Sequence, residues 1–69
     1  MKISARNSLK GRVTKLVKGP VSTEISVLVA PDIEIVSSLT TASAKRLQLK
    51  KGSKVYAIIK ASSVMIATD

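Results

Sequence analysis

Val21-Ser22-Thr23-Glu24-Ile25-Ser26-Val27-Leu28-Val29, entered through Lys18-Gly19-Pro20, decides the fold. Val21, Thr23, Ile25, Val27 and Val29 alternate with Ser22, Glu24 and Ser26, the two-residue period of a strand that buries one face. Gly19-Pro20 supplies turn chemistry. The preceding run, Leu9 to Val17, alternates as well. Leu9, Gly11, Val13, Lys15 and Val17 fall on one face, and Lys10, Arg12, Thr14 and Lys18 on the other. Together the two runs predict a hairpin.

Working outward, Ala30-Pro31-Asp32 ends the second strand, because proline cannot donate to a ladder, and Ile33, Ile35 and Val36 open a third that ends near Leu39. Between Thr40 and Leu49 the pattern changes. Thr40 or Thr41 suits an N-cap, Ala42, Ala44, Lys45 and Arg46 favour helix, and Leu47 is expected to anchor that helix in the core. Lys50-Lys51-Gly52-Ser53 reads as a turn, Val55 to Ile59 as a fourth strand and, after Ser62-Ser63, Val64 to Ala67 as a short fifth. Five strands with a helix between the third and fourth predict an all-β fold with one short helix, a five-stranded Greek-key barrel of the OB type.

The 69 residues are expected to form one domain, 1–69, with a thin core. There is no cysteine and no histidine, which excludes disulfides and the ordinary zinc constellations and leaves oligomerisation as the remaining reinforcement. The apolar stretches fall well short of the ~20 residues a membrane-spanning helix needs. The polar start, Ser4, Arg6 and Asn7, lacks the apolar region of a secretory signal. A cytoplasmic location without a membrane partner is therefore expected. Twelve basic against four acidic residues, a net charge of +8, favours anionic partners without choosing among them.

Two separated segments narrow that choice. Ser4-Ala5-Arg6-Asn7 offers a hydroxyl, a guanidinium fork and an amide, and Lys60-Ala61-Ser62-Ser63 adds an ammonium and further hydroxyls, while neither contains a carboxylate. A tetrahedral dianion whose outward atoms are all acceptors suits such a set. Thr40, Ser43 and the first N–H groups of the short helix would extend the cradle, with Arg6 and Lys60 neutralising the charge. Hydrogen phosphate wants an acceptor from the protein, and Glu24, Asp32, Glu34 and Asp69 all lie outside the two segments. Each residue also has a plain structural role to weigh against this: Ser4 and Asn7 as loop residues, Arg6 and Lys60 as solvated charges, Thr40 and Ser43 as helix caps.

The pairing of Ser4-Ala5-Arg6-Asn7…Leu9-Lys10-Gly11 with Lys60-Ala61-Ser62-Ser63-Val64-Met65-Ile66, with Thr40…Ser43…Leu47 between them, resembles the molbindins (Mop), small molybdate-binding proteins. The resemblance covers essentially the whole chain. It implies an OB-type barrel assembled into a homohexamer, a trimer of dimers, that binds and stores molybdate or tungstate where subunits meet, with no further cofactor and no side chain bonded directly to the metal. The site it implies takes Ser4, Ala5 (through its backbone) and Arg6 from one subunit and Thr40, Ser43, Lys60 and Ala61 from its neighbour. A second candidate site, built largely of backbone groups, would use Gly19, Val21 and Ser22.

Two other classes are weighed beside this. A small basic OB-type barrel is also a nucleic-acid platform, but single-strand binders of this fold stack bases on aromatic side chains, and this chain has Tyr56 alone, expected to pack against the barrel or an interface. No specific nucleic-acid partner is therefore expected. An enzyme is the weakest class, because Cys, His, a close carboxylate pair and a phosphate-binding loop are all missing from the sequence.

Overall fold

The computed structural model describes residues 2–69. In chain order the elements are β1 Asn7–Lys18, β2 Ser22–Ala30, β3 Ile33–Thr40, α1 Thr41–Arg46 and β4 Lys54–Ile59, followed by a 3-10 turn at Ala61–Ser63. The strands pair antiparallel in one sheet of order β3-β2-β1-β4. β1 pairs with β4 through Asn7–Arg12 and with β2 through Arg12–Lys18, which leaves β3 and β4 as the two edges.

The predicted hairpin is present, with one correction inside β1. Val13 stands opposite Val27 but Lys15 stands opposite Ser26, so Thr14 is the extra residue of a bulge. The alternation changes phase there. Leu16 joins the inward face opposite Ile25, while Lys15 and Val17, expected on the face of Val13, turn outward, with Val17 52% exposed. Gly11 allows the strands to close on each other. A Cβ at Gly11 would stand 2.6 Å from the Leu28 carbonyl oxygen and 2.7 Å from Val27 Cγ1.

The core is small. Val13, Ile25 and Val27 are buried, and Leu16, Val29, Leu39, Leu49 and Val55 pack against them half-buried. A hydroxyl relay ties the helix to the hairpin. Thr41 Oγ1 donates to the Gly19 carbonyl at 2.6 Å and so receives its own hydrogen bond from Thr23 at 2.8 Å. Both threonines are buried, and the Thr41 N–H bonds to the Val21 carbonyl at 2.8 Å. The choice between Thr40 and Thr41 as N-cap is thereby decided. Thr40 caps, its Oγ1 accepting the Ser43 N–H at 3.0 Å.

Leu47 does not anchor the helix; it is 59% exposed. The helix ends at Arg46 with Leu47 as its C-cap, and Gln48 follows in the left-handed region at φ 54°. The Gln48 N–H reaches the Lys45 carbonyl and the Leu49 N–H reaches the Ala44 carbonyl, the paired bonds of a Schellman stop. That reversal points Leu49 into the core in place of Leu47.

The expected fifth strand is not formed. Val64–Asp69 have no secondary structure, and Met65 and Ile66 are 92% and 86% exposed. A strand exists only against a ladder partner, and the tail does not enter the open groove of about 390 Å³ between the β3 and β4 edges. One chain thus forms a curled four-stranded antiparallel sheet with one short helix.

Candidate functional site

β1 and β4 deliver the two donor-rich segments to the same place. Asn7 pairs with Ile59 at the end of their antiparallel ladder, so the residues before Asn7 and after Ile59 leave the sheet side by side. Ser4, Ala5 and Arg6 consequently line one open cleft with Ile58, Lys60, Ala61 and Ser62. The 3-10 turn holds the second wall, the Ser63 N–H bonding to the Lys60 carbonyl at 2.8 Å. No carboxylate lines the cleft, and Arg6 and Lys60 are both exposed. Asn7, counted among the donors, is instead the half-buried first residue of β1 and does not line the cleft. Ile58, which contributes an apolar wall, carried no site signal in the sequence.

The cleft measures about 670 Å³. One water occupies ~30 Å³ of liquid, so the open space far exceeds a single tetrahedral anion.

Thr40 and Ser43 lie elsewhere. Thr40 pairs with Ser22 beside the hairpin turn, at the Lys18 end of β1, roughly 36 Å along that strand from Asn7 at ~3.3 Å per residue. The resemblance placed Ser4–Arg6 and Lys60 on different subunits; in this chain they share a cleft, and it is the hydroxyl pair that is remote. The pair itself is well defined. Thr40 Oγ1 donates to Ser43 Oγ at 2.8 Å, and Arg46 Nη2 donates to the same oxygen at 3.4 Å. The Ser43 O–H is then the donor left to face outward. The helix N–H groups contribute less than expected, because the Thr41 N–H is held by Val21 and the Ser43 N–H by Thr40.

Gly19, Val21 and Ser22 sit next to this pair, at the hairpin turn. Val21 is 74% exposed, and the Gly19 N–H bonds to the Ser22 carbonyl at 3.0 Å. Gly19 and Val21 both use their carbonyls to hold Thr41. Among the described residues no group of three or more His, Cys, Asp or Glu gathers. What the chain offers an anion is hydrogen-bond donors and positive charge.

Residues 3–66 match the model of the TOBE domain family. A probable molybdenum-pterin-binding protein of Haemophilus influenzae is 41% identical over 69 residues, the whole of both chains. The chain belongs to the Mop family of TOBE-domain proteins. The molybdenum transport protein ModE of Herbaspirillum seropedicae is 45% identical over the whole chain, which spans 26% of that longer relative. A molybdate-binding protein from Sporomusa ovata superposes with a TM-score of 0.91 at 37% identity, covering 99% of this chain and 100% of its own. The Mop fold of the present chain, mostly β with one short helix, is thus shared with a solved structure over nearly its full length.

Proposed function

We propose that this protein binds molybdate or tungstate reversibly and holds it as an intracellular store. The observation that carries the reading is the convergence of Ser4, Ala5 and Arg6 with Lys60, Ala61 and Ser62 on one cleft that no carboxylate enters. A dianion there accepts charge-assisted hydrogen bonds from two cations and direct bonds from hydroxyls and backbone N–H groups. The names of the Haemophilus and Sporomusa relatives support the same ligand.

The site lies between copies of the chain. One chain leaves the cleft open on one side and carries Thr40 and Ser43 at the other end of β1, so a second copy contributes the hydroxyl pair that completes the cage. Assembly also restores the missing strand. Val64–Ala67 of one copy fits the groove between the β3 and β4 edges of another, where Ile35, Leu39, Val55 and Ala57 present an apolar floor and both edges have free ladder positions. The barrel is then five-stranded, and the assembly is a homohexamer built as a trimer of dimers in the cytoplasm.

Calorimetric titration of the purified protein with molybdate in physiological salt, with sulfate and phosphate in excess, tests the reading. Saturable binding, micromolar or tighter, at about one anion or slightly more per chain is expected. Absence of heat, or heat abolished by sulfate, overturns it.

A further inference from the structure

The outer face of β1 and β4 carries a second kind of anion surface, separate from the cleft. Arg12 stands directly opposite Lys54, and Lys10 directly opposite Tyr56. All four side chains are exposed in the single chain, and Tyr56, the single aromatic residue, is 52% exposed, so it does not pack inside its own barrel. Neither strand contains an acidic residue. The Lys50-Lys51 turn is fastened to the middle of β1, the Gly52 N–H bonding to the Val13 carbonyl and the Val13 N–H to Ser53, which brings two more cations toward the same half of the sheet. The one carboxylate that follows in the cross-strand row is Glu34, opposite Leu28, which is itself opposite Arg12, and it accepts a hydrogen bond from Thr14.

Like charges directly opposite each other on a sheet destabilise it, so the Arg12–Lys54 pair is relieved by an anion placed between them. Lys54 and Tyr56 are two residues apart on one strand, about 6.6 Å. A phosphate held at Arg12–Lys54 therefore lies within one nucleotide's reach of Tyr56, which Lys10 faces across the strands. We propose that this face binds single-stranded nucleic acid without sequence preference, Tyr56 stacking one base and Arg12, Lys54, Lys10 and the Lys50-Lys51 turn following the phosphates. The surface uses none of the oxyanion-cleft residues, but Tyr56 also borders the groove between the β3 and β4 edges, so the assembled protein is the species to test.

The test is fluorescence polarisation of a labelled twelve-nucleotide oligo-dT on the full-length assembled protein, at low and at physiological salt, with long-chain inorganic polyphosphate as a ring-free competitor. Tyr56→Ala is expected to weaken oligonucleotide binding roughly tenfold while leaving polyphosphate binding and molybdate titration unchanged. Arg12→Gln/Lys54→Gln is expected to weaken both polyanions and flatten the salt dependence. Three outcomes overturn the proposal: no oligonucleotide binding at physiological salt, indifference to Tyr56→Ala, or an equal loss from Lys18→Gln at the far end of β1. Circular dichroism of each variant establishes that the fold is retained, and Tyr56→Phe, which keeps the ring, is expected to bind like the parent.

Discussion

Arg6 and Lys60 flank the same cleft one step beyond the last rung of the β1–β4 ladder, the Asn7–Ile59 pair. Two cations are held near one another by backbone pairing, with no carboxylate lining the space between them. Both are exposed, so solvent screens them, and an anion that bridges them would gain most if, as proposed, a second chain closes the cleft. Arg6→Ala and Lys60→Ala are each expected to lower molybdate affinity by tenfold or more, the scale of a lost charge-assisted hydrogen bond of ~1.5–3 kcal/mol. Calorimetry reads the loss directly. Arg6→Lys is expected to recover only part of it, since an ammonium cannot reproduce a fork.

Thr40 has two roles that substitution separates. Thr40→Val removes the Oγ1 that accepts the Ser43 N–H and the donor to Ser43 Oγ, costing ~1 kcal/mol of stability in urea titration together with affinity. Ser43→Ala keeps the cap, because the Thr40 Oγ1 still accepts the backbone N–H. It is expected to lower molybdate affinity with little change in the denaturation midpoint.

The Thr23–Thr41–Gly19 relay serves the fold rather than a ligand, because each donor in it already has an acceptor. Thr41→Val leaves both the Gly19 carbonyl and the Thr23 hydroxyl short of a partner, and is expected to cost ~1–3 kcal/mol. Adding Thr23→Val to it is expected to cost less than the sum of the two single changes, since the pair shares one hydrogen bond.

At Gly11 the backbone of β2 lies close against β1. A methyl group there meets the Leu28 carbonyl, which backbone pairing holds in place. Gly11→Ala is expected to lower stability by ~1–3 kcal/mol, read from chemical denaturation of the assembled protein.

Truncation after Ser63 removes the exposed tail while leaving every residue of the cleft in the chain. It is expected to convert the assembly into smaller species by light scattering and to weaken molybdate binding together with it. An unchanged hexamer would sink the proposed strand exchange.

Much of this was legible in local chemistry. Pro31 and the Gly19-Pro20 pair marked the strand ends, and the alternation of Thr23, Ile25, Val27 and Val29 set the inward face of β2, while Val21, placed in the same row by the sequence, lies exposed in the turn. The absence of carboxylates near Arg6 and Lys60 singled out two donor-rich segments, which the sheet gathers into one cleft. The bulge at Thr14 was not legible, because an inserted residue leaves both halves of β1 alternating and only the phase between them shifts. Leu47 and Leu49 were exchanged for a similar reason. The helix stop rests on Gln48 at a positive φ, a position where glycine would have been the signal.

By itself the sequence determined four strands, a short helix entered at Thr40 or Thr41 and which side chains carry donors and positive charge, because period, turn residues and hydrogen-bonding inventory are local properties. The tertiary structure decided which of those side chains meet. Antiparallel pairing of Asn7 with Ile59 joins Arg6 to Lys60, and pairing of Ser22 with Thr40 carries the hydroxyl pair to the opposite end of β1. It also left Val64–Ala67 without a ladder, since a strand's free energy depends on an edge that this chain does not bring to its own tail.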